Sequence, residues 1–169
     1  MSNASARAPY RVTFVCTGNI CRSPMAEHVL RKHVDDEGLA DAVVVDSSGT
    51  GGWHVGDPAD RRTVRTLQRH GFTSDHSARK FQRDWFEDYD LVIALDAGHL
   101  RELRALARDD RDRDKLRLLR SFDPSAGPDL DVPDPYYDGD EAFEHVLDLI
   151  ERAVPGILDE IRRGLKAKD

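Results

Sequence analysis

Cysteine is scarce. The chain has two in 169 residues, Cys16 and Cys21, and both fall in one short stretch. No disulfide framework is available, so a reducing, cytoplasmic compartment is the natural assumption. An export route without a classical signal escapes this argument. No apolar run approaches ~18 residues and the N-terminus carries no hydrophobic signal core, so no membrane partner is expected. Gly-Lys-Ser and Gly-Lys-Thr are absent, which sets aside the phosphate loop of nucleotide hydrolases. The seven histidines show no metal-ligand spacing, and the expectation is chemistry without a metal or cofactor. Charge of one sign is also lacking: 34% of residues are charged, yet the signs are mixed and the formal net charge is −7. That balance argues against a general affinity for nucleic acid.

What is present is concentrated between Val12 and Glu27. A β-branched and aromatic run ends at Cys16, a short polar loop follows, and Ser23-Pro24 opens a segment with helical spacing of apolar residues. Ser23 suits an N-cap and Pro24 the first helical position, so the loop sits on a helix N-terminus. Such a loop turns backbone N–H groups inward and, with the helix dipole, binds a phosphate-like anion. Gly18 and Asn19 tolerate the positive-φ turns that curl it. Cys16 then lies at the bottom of an anion cradle that favours its thiolate. Arg22 completes the cup, because a planar guanidinium holds two phosphoryl oxygens at once. The opposing reading, an inert strand-end cysteine with a surface arginine, leaves the Gly-Asn-x-x-x-Ser-Pro setting unexplained.

The remainder alternates strands and helices. Met1 to Pro9 reads as a disordered tail, followed by a single domain over 10–169 that begins with a strand at Tyr10–Val15. Met25, Ala26, Val29, Leu30 and Val34 form one helical stripe ending near Gly38. Val43–Asp46 is a second strand, too short and too apolar for an edge ribbon in water, and runs into a glycine-rich loop that presents Trp53 and His54. Asp60 to His70 reads as a helix with Val64 and Leu67 inward, and Trp85 and Phe86 as a short packed segment. Leu91–Leu95 is a third strand, Ala97–Ala107 a helix and Leu116–Phe122 a fourth strand, while Asp109–Lys115 reads as a solvated loop or helix end. A last amphipathic stretch runs from Phe143 to Leu165, with Pro155 expected to kink or interrupt it. The expected fold is α/β: a three-layer α/β/α sandwich around a four-stranded parallel sheet, with the Cys16 loop beyond the C-terminal strand ends.

A thiolate under a phosphate monoester needs an acid for the leaving group. Asp134 is the best candidate, because Asp134-Pro135-Tyr136-Tyr137 joins a carboxyl to a φ-restricted residue and two rings in one polar loop. Trp53, Tyr136 and Tyr137 suit the walls of a slot for aryl phosphates, with Ile20 in the same wall. His28, His33, His99 and His145 read as ordinary core or surface groups.

The run Cys16-Thr17-Gly18-Asn19-Ile20-Cys21-Arg22-Ser23-Pro24-Met25-Ala26-Glu27 resembles the active-site loop of the low-molecular-weight protein tyrosine phosphatases. Asp46 to Arg61, His70 to Phe81, Ala94 to Leu100 and Leu119 to Tyr137 also resemble that family, bacterial members most closely. The resemblance implies strand order 2-1-3-4 and a phosphotyrosine phosphatase domain with Cys16 as nucleophile, Arg22 as phosphate clamp and Asp134 as general acid. It implies substrate contacts from Thr17, Gly18, Asn19, Ile20, Cys21, Ser23, Trp53, His54, Tyr136 and Tyr137, and loop support from Ser47 and His76, which brace Asn19 and Ser23. Cys21 matches a resolving thiol for an oxidised Cys16. The implied partners are phosphotyrosine proteins, with small aryl phosphates and inorganic phosphate as ligands. Asp138 stands where the family has glycine, with Gly139 one place later. Isoleucine at position 20, where phosphoarginine-hydrolysing relatives carry threonine, tilts the choice to phosphotyrosine. An arsenate reductase on the same scaffold is the rival enzyme, needing an external thiol since Cys21 is the sole further cysteine. A non-catalytic phosphotyrosine-binding module would have lost the cysteine, arginine or aspartate.

Overall fold

The computed structural model describes residues 8–168. Residues 1–7 of the expected tail lie outside that range, and regular structure begins at Tyr10. The elements in chain order are β1 (Tyr10–Cys16), α1 (Arg22–Asp36), β2 (Val43–Gly49), α2 (Arg61–Arg69), β3 (Leu91–Ala94), α3 (Ala97–Leu106), α4 (Asp110–Asp114), β4 (Leu116–Leu118) and α5 (Asp140–Ala167). Two 3-10 turns, Arg83–Glu87 and Leu119–Phe122, flank β3 and β4.

All pairings are parallel and the strand order is β2-β1-β3-β4. Successive residues of a strand point to opposite faces, and β1 divides its side chains accordingly. Tyr10, Val12, Phe14 and Cys16 join the apolar faces of α1 and α5, whereas Val15 joins Val92, Ala94, Phe86 and Leu103 on the other side. A central strand covered on both faces explains why β1 is apolar almost throughout. Among the described residues, no helix is long and apolar enough to cross a membrane.

Several expectations need correction. β2 is an edge strand, but its edge is not left to water: the Gly49 N–H donates to the Arg79 carbonyl at 2.8 Å and the Gly49 carbonyl accepts from the Phe81 N–H at 2.8 Å. Arg31 and Arg79 side chains cap the Val45 and Ser47 carbonyls. An apolar edge is tolerated when other chain covers it. In α2 the inward residues are Thr63, Thr66 and Leu67, with Val64 half-buried. β4 stops at Leu118 and tightens into the 3-10 turn, where Phe122 lies against Gly156 of α5. Asp109–Lys115 contains α4, whose Asp112 is buried and accepts from Arg108 Nε at 2.8 Å. Pro155 does not interrupt α5. Loss of one helix hydrogen bond costs about 3 kcal/mol, and burial of Val154, Ile157 and Leu158 around it offsets that at about 1.5–3 kcal/mol each.

The close approach at Gly156 leads to a stability test. A Cβ there meets the Phe122 carbonyl at less than van der Waals contact. Gly156→Ala should therefore lower the urea midpoint by an amount worth about 1–3 kcal/mol, with an unchanged m-value.

Candidate active site

The loop between β1 and α1 is held open. Among the described residues, no backbone N–H from Thr17 to Arg22 donates to a group of the protein. Six donors are thus left over at a helix N-terminus, which is the arrangement that binds an anion. The curl is made at Asn19, whose φ of 59° lies in the left-handed region. Asparagine tolerates that region, and here its side chain is fixed as well. Asn19 Nδ2 donates to Ser23 Oγ at 2.9 Å and Ser47 Oγ at 3.0 Å, and Oδ1 accepts from the Arg79 N–H at 2.8 Å. The Asn19 carbonyl accepts from His76 Nε2 at 2.6 Å. Gly49, opposite Cys16 in β2, leaves room for this curl: a Cβ there would stand 2.6 Å from the Thr17 carbonyl oxygen.

Ser23 is not the expected N-cap. α1 starts at Arg22 with Cys21 as its cap residue and without a side-chain cap bond. The Ser23 hydroxyl instead lies 2.9 Å from Cys16 Sγ. It accepts from Asn19 Nδ2 at 2.9 Å and also lies 3.4 Å from the Ser48 carbonyl, to which it can donate.

Arg22 is buried and faces the cradle from the other side. Nη1 donates to Asp96 Oδ2 at 2.9 Å and to the Val132 carbonyl at 2.8 Å. Nη2 approaches His99 Nε2 at 3.4 Å and Asp134 Oδ2 at 3.9 Å. His99 Nε2 also lies 2.8 Å from Thr17 Oγ1. Burial, reinforced by the Arg22 charge, holds the His99 imidazole below its ordinary range, so it is neutral beside the guanidinium. Burial pushes the Asp96 carboxyl up, but the His99 backbone N–H and the Arg22 guanidinium outweigh it and hold the carboxyl below its ordinary range.

Asp96 and His99 were not singled out by their sequence, and His99 is not the ordinary group it was expected to be. The usable signal was position: Asp96 caps α3 just beyond the C-terminal end of β3, where ligands of parallel sheets bind.

Cys16, Arg22 and Asp134 line one cavity of about 290 Å³. Thr17, Gly18, Ile20 and Cys21 of the same loop line it too, together with Trp53, His54, Tyr136 and Tyr137. Trp53 is 77% exposed and Tyr137 90% exposed, so these rings are not packed core. Asn19 and Ser23 are buried within the loop, with Ser47 and His76 bonded to Asn19 as its braces. Burial, with the Asp60 charge adding to it, pushes the Cys21 thiol up to about 12.

The loop that carries Asp134 is tied to the loop that carries Cys16. The Asp60 N–H donates to the Ile20 carbonyl at 2.8 Å, and the Asp60 carboxylate holds Arg62. Arg62 Nη1 donates to the Asp138 carbonyl at 2.9 Å, while its guanidinium lies 5.5 Å from the Tyr136 ring centre and 4.6 Å from that of Phe143. Asp138 thus contributes its backbone to the tie. A side chain at that position is tolerated because it is exposed.

Two measurements follow from this geometry. Asn19→Ala removes three side-chain bonds and should destabilise the protein by about 1–3 kcal/mol in urea unfolding, with loss of phosphate affinity in calorimetry. His28 and His99 are both held neutral by burial. The unfolded chain takes up protons near pH 6.5 that the native chain refuses, so stability present above about pH 6.5 is lost as pH falls. Urea midpoints at pH 7.5 and 5.5 should show that decline.

Comparison with known proteins agrees with the site. The family model for low molecular weight phosphotyrosine protein phosphatase matches residues 11–167. A low molecular weight protein-tyrosine-phosphatase of Streptomyces coelicolor is 58% identical over 160 residues, covering 94% of this chain and 98% of that protein. Low molecular weight protein-tyrosine phosphatase A of Mycobacterium tuberculosis is 49% identical over 158 residues, covering 93% and 94%. Among solved structures, a protein tyrosine phosphatase of Entamoeba histolytica with Hepes in its active site superposes with a TM-score of 0.87 at 31% identity, covering 92% of this chain and 98% of that one. YfkJ of Bacillus subtilis gives a TM-score of 0.85 at 36% identity, covering 93% and 97%. With residues 11–167 matched by the family model and relatives aligned over nine-tenths of its length, this chain belongs to the low molecular weight phosphotyrosine protein phosphatases.

Proposed function

We propose that the chain hydrolyses phosphotyrosine in proteins, with Cys16, Arg22 and Asp134 as catalytic residues. The observation that carries this reading is that a cysteine, a buried guanidinium and one exposed carboxyl line a single cavity, at a loop whose backbone N–H groups from Thr17 to Arg22 have no partner among the described residues.

The phosphoryl group enters with its oxygens on the loop N–H groups and the Arg22 Nη2 edge. Asp96 holds Nη1 and leaves that edge to the substrate. The Cys16 thiolate attacks phosphorus in line, forming an S–P bond as the P–O bond to the aryl oxygen breaks. Asp134 gives that oxygen its proton and is left as carboxylate. Water then attacks phosphorus with Asp134 taking one of its protons, the S–P bond breaks, and phosphate and thiolate are regenerated. Through both steps the developing charge is met by donors already in place, so little reorganisation is needed.

The exposed rings of Trp53, Tyr136 and Tyr137 lining the cavity with Cys16 support an aryl ester over a short serine ester. Ile20 in the cavity lining supports phosphotyrosine over phosphoarginine. Arsenate reduction is disfavoured because Cys21, the one further thiol, is kept protonated by burial.

Cys16→Ser should abolish turnover of phosphotyrosine peptide while retaining phosphate binding, and Arg22→Lys should impair both. Asp134→Ala should lower kcat by ~10²–10⁴ for phenolic leaving groups and much less for leaving groups that depart unprotonated. Steady-state kinetics over a leaving-group series measures this, and equal losses across the series would remove Asp134 from the acid role.

A further inference from the structure

The segment that carries Asp134 is fixed at both ends. The Val132 N–H donates to the Leu95 carbonyl at 2.9 Å, and the Val132 carbonyl accepts from Arg22 Nη1 at 2.8 Å. At the other end Asp140 opens α5, its carboxylate paired with Arg65 and Arg69 of α2. Between these anchors Pro135 is buried, while Asp134, Tyr136, Tyr137 and Asp138 are exposed. Among the described residues, the one hydrogen bond from residues 133–138 to the rest of the protein runs from Arg62 Nη1 to the Asp138 carbonyl, at 2.9 Å. Arg22 Nη2 stands 3.9 Å from Asp134 Oδ2, beyond hydrogen-bond reach.

That tether reaches the carboxyl in two short steps. The Asp138 N–H donates to the Pro135 carbonyl at 2.9 Å and closes a turn, and the Tyr136 N–H inside this turn donates to Asp134 Oδ1 at 3.1 Å. Turn and carboxyl therefore move together. Arg62 grips the turn twice, by the Asp138 carbonyl and by the Tyr136 ring, whose centre lies 5.5 Å from the guanidinium. The guanidinium is itself fixed: Asp60 takes Nε at 3.1 Å and Nη2 at 3.0 Å, and the buried Phe143 ring lies 4.6 Å away. Holding a carboxylate on one edge and a carbonyl on another needs the planar donor set of arginine. Nothing in the sequence separates Arg62 from Arg61, Arg65 and Arg69 of the same helix.

We propose that Arg62 is the positioning residue for Asp134: it sets where the carboxyl stands in the cavity shared with Cys16, and so whether a proton reaches the leaving-group oxygen. Arg65 and Arg69 make exposed ion pairs with Asp140 and Glu144 beyond the turn, and pairs of that kind contribute little.

The kinetic test is a leaving-group series on the full chain. Arg62→Ala should lower kcat/KM for phenolic esters about 10–10²-fold, the cost of misplacing a reacting group by about an ångström. The loss should be much smaller for esters whose leaving group departs unprotonated, so that log kcat/KM falls more steeply with leaving-group pKa, while inhibition by inorganic phosphate stays as in the parent. Arg62→Lys keeps the charge without the fork and should fall between the parent and Arg62→Ala. Arg65→Ala removes a charge from the same helix and should leave the slope alone. In the Asp134→Ala background Arg62→Ala should cost nothing further, because its effect passes through a carboxyl already gone.

Position can be read without turnover. NMR order parameters of the Asp134, Tyr136 and Asp138 amides should fall toward ~0.6 or lower in Arg62→Ala and hold in Arg65→Ala. Urea midpoints check that each variant is folded, and Arg62→Lys carries the same readouts if Arg62→Ala is not. A uniform loss across the series, a further loss in the double variant, or unchanged order parameters overturns the proposal. The kinetic arm rests on the phosphatase reading. If Asp134→Ala itself shows no dependence on the leaving group, that reading of Asp134 falls, and the order parameters alone decide whether Arg62 holds the loop.

Discussion

Asn19 carries the structure of the catalytic loop. A cradle built from unpaired N–H groups has no hydrogen bonds of its own to keep it open, and unpaired donors away from water are costly. The loop is therefore shaped from outside. Asn19 adopts the left-handed conformation that curls the chain, and its side chain and carbonyl are gripped by Ser23, Ser47, Arg79 and His76. The same amide holds the Ser23 hydroxyl beside Cys16, so one residue fixes both the shape of the anion site and the environment of the sulfur.

Charge is arranged with similar economy. A buried guanidinium needs a partner, and Asp96 supplies one without filling the cavity. Nη2 is left beside a neutral His99 and 3.9 Å from Asp134. A phosphoryl dianion would complete the coordination of Arg22, whereas another carboxylate at that edge would compete with it. Arg62 does the mechanical part, holding the Asp138 carbonyl and the Tyr136 ring while Asp60 joins it to Ile20 of the nucleophile loop. The loops of Cys16 and Asp134 thus share a brace, although Cys21 and Pro135 lie 114 positions apart in the chain.

The active-site run was legible because its chemistry is local. A strand-end cysteine, a Gly-Asn turn and an arginine on a helix start are neighbours in sequence, and each residue type has few other reasons to stand there. Partners brought in from elsewhere were less visible. Asp96 and His99 look like an ordinary helix start, and nothing local says that α3 points its N-terminal turn at Arg22. Ser23 was read as a cap from residue type alone, but a nearby thiol and amide took its hydroxyl. The burial of Asp112 and the continuity of α5 past Pro155 have a related origin: Arg108 pairs the first and buried neighbours hold the helix around the second.

Sequence alone settled the strand–loop–helix order, the placing of Cys16 and Arg22 on one loop and the two-sided burial of β1, because short-range stereochemistry and side-chain periodicity act within a few residues. Tertiary structure decided what surrounds them: an apolar strand allowed at the sheet edge, a neutral histidine beside the guanidinium, and Arg62 set between two loops far apart in the chain. Those outcomes depend on which distant groups share a desolvated space. Burial and pairing there are set by packing between elements, and residue type carries no record of it.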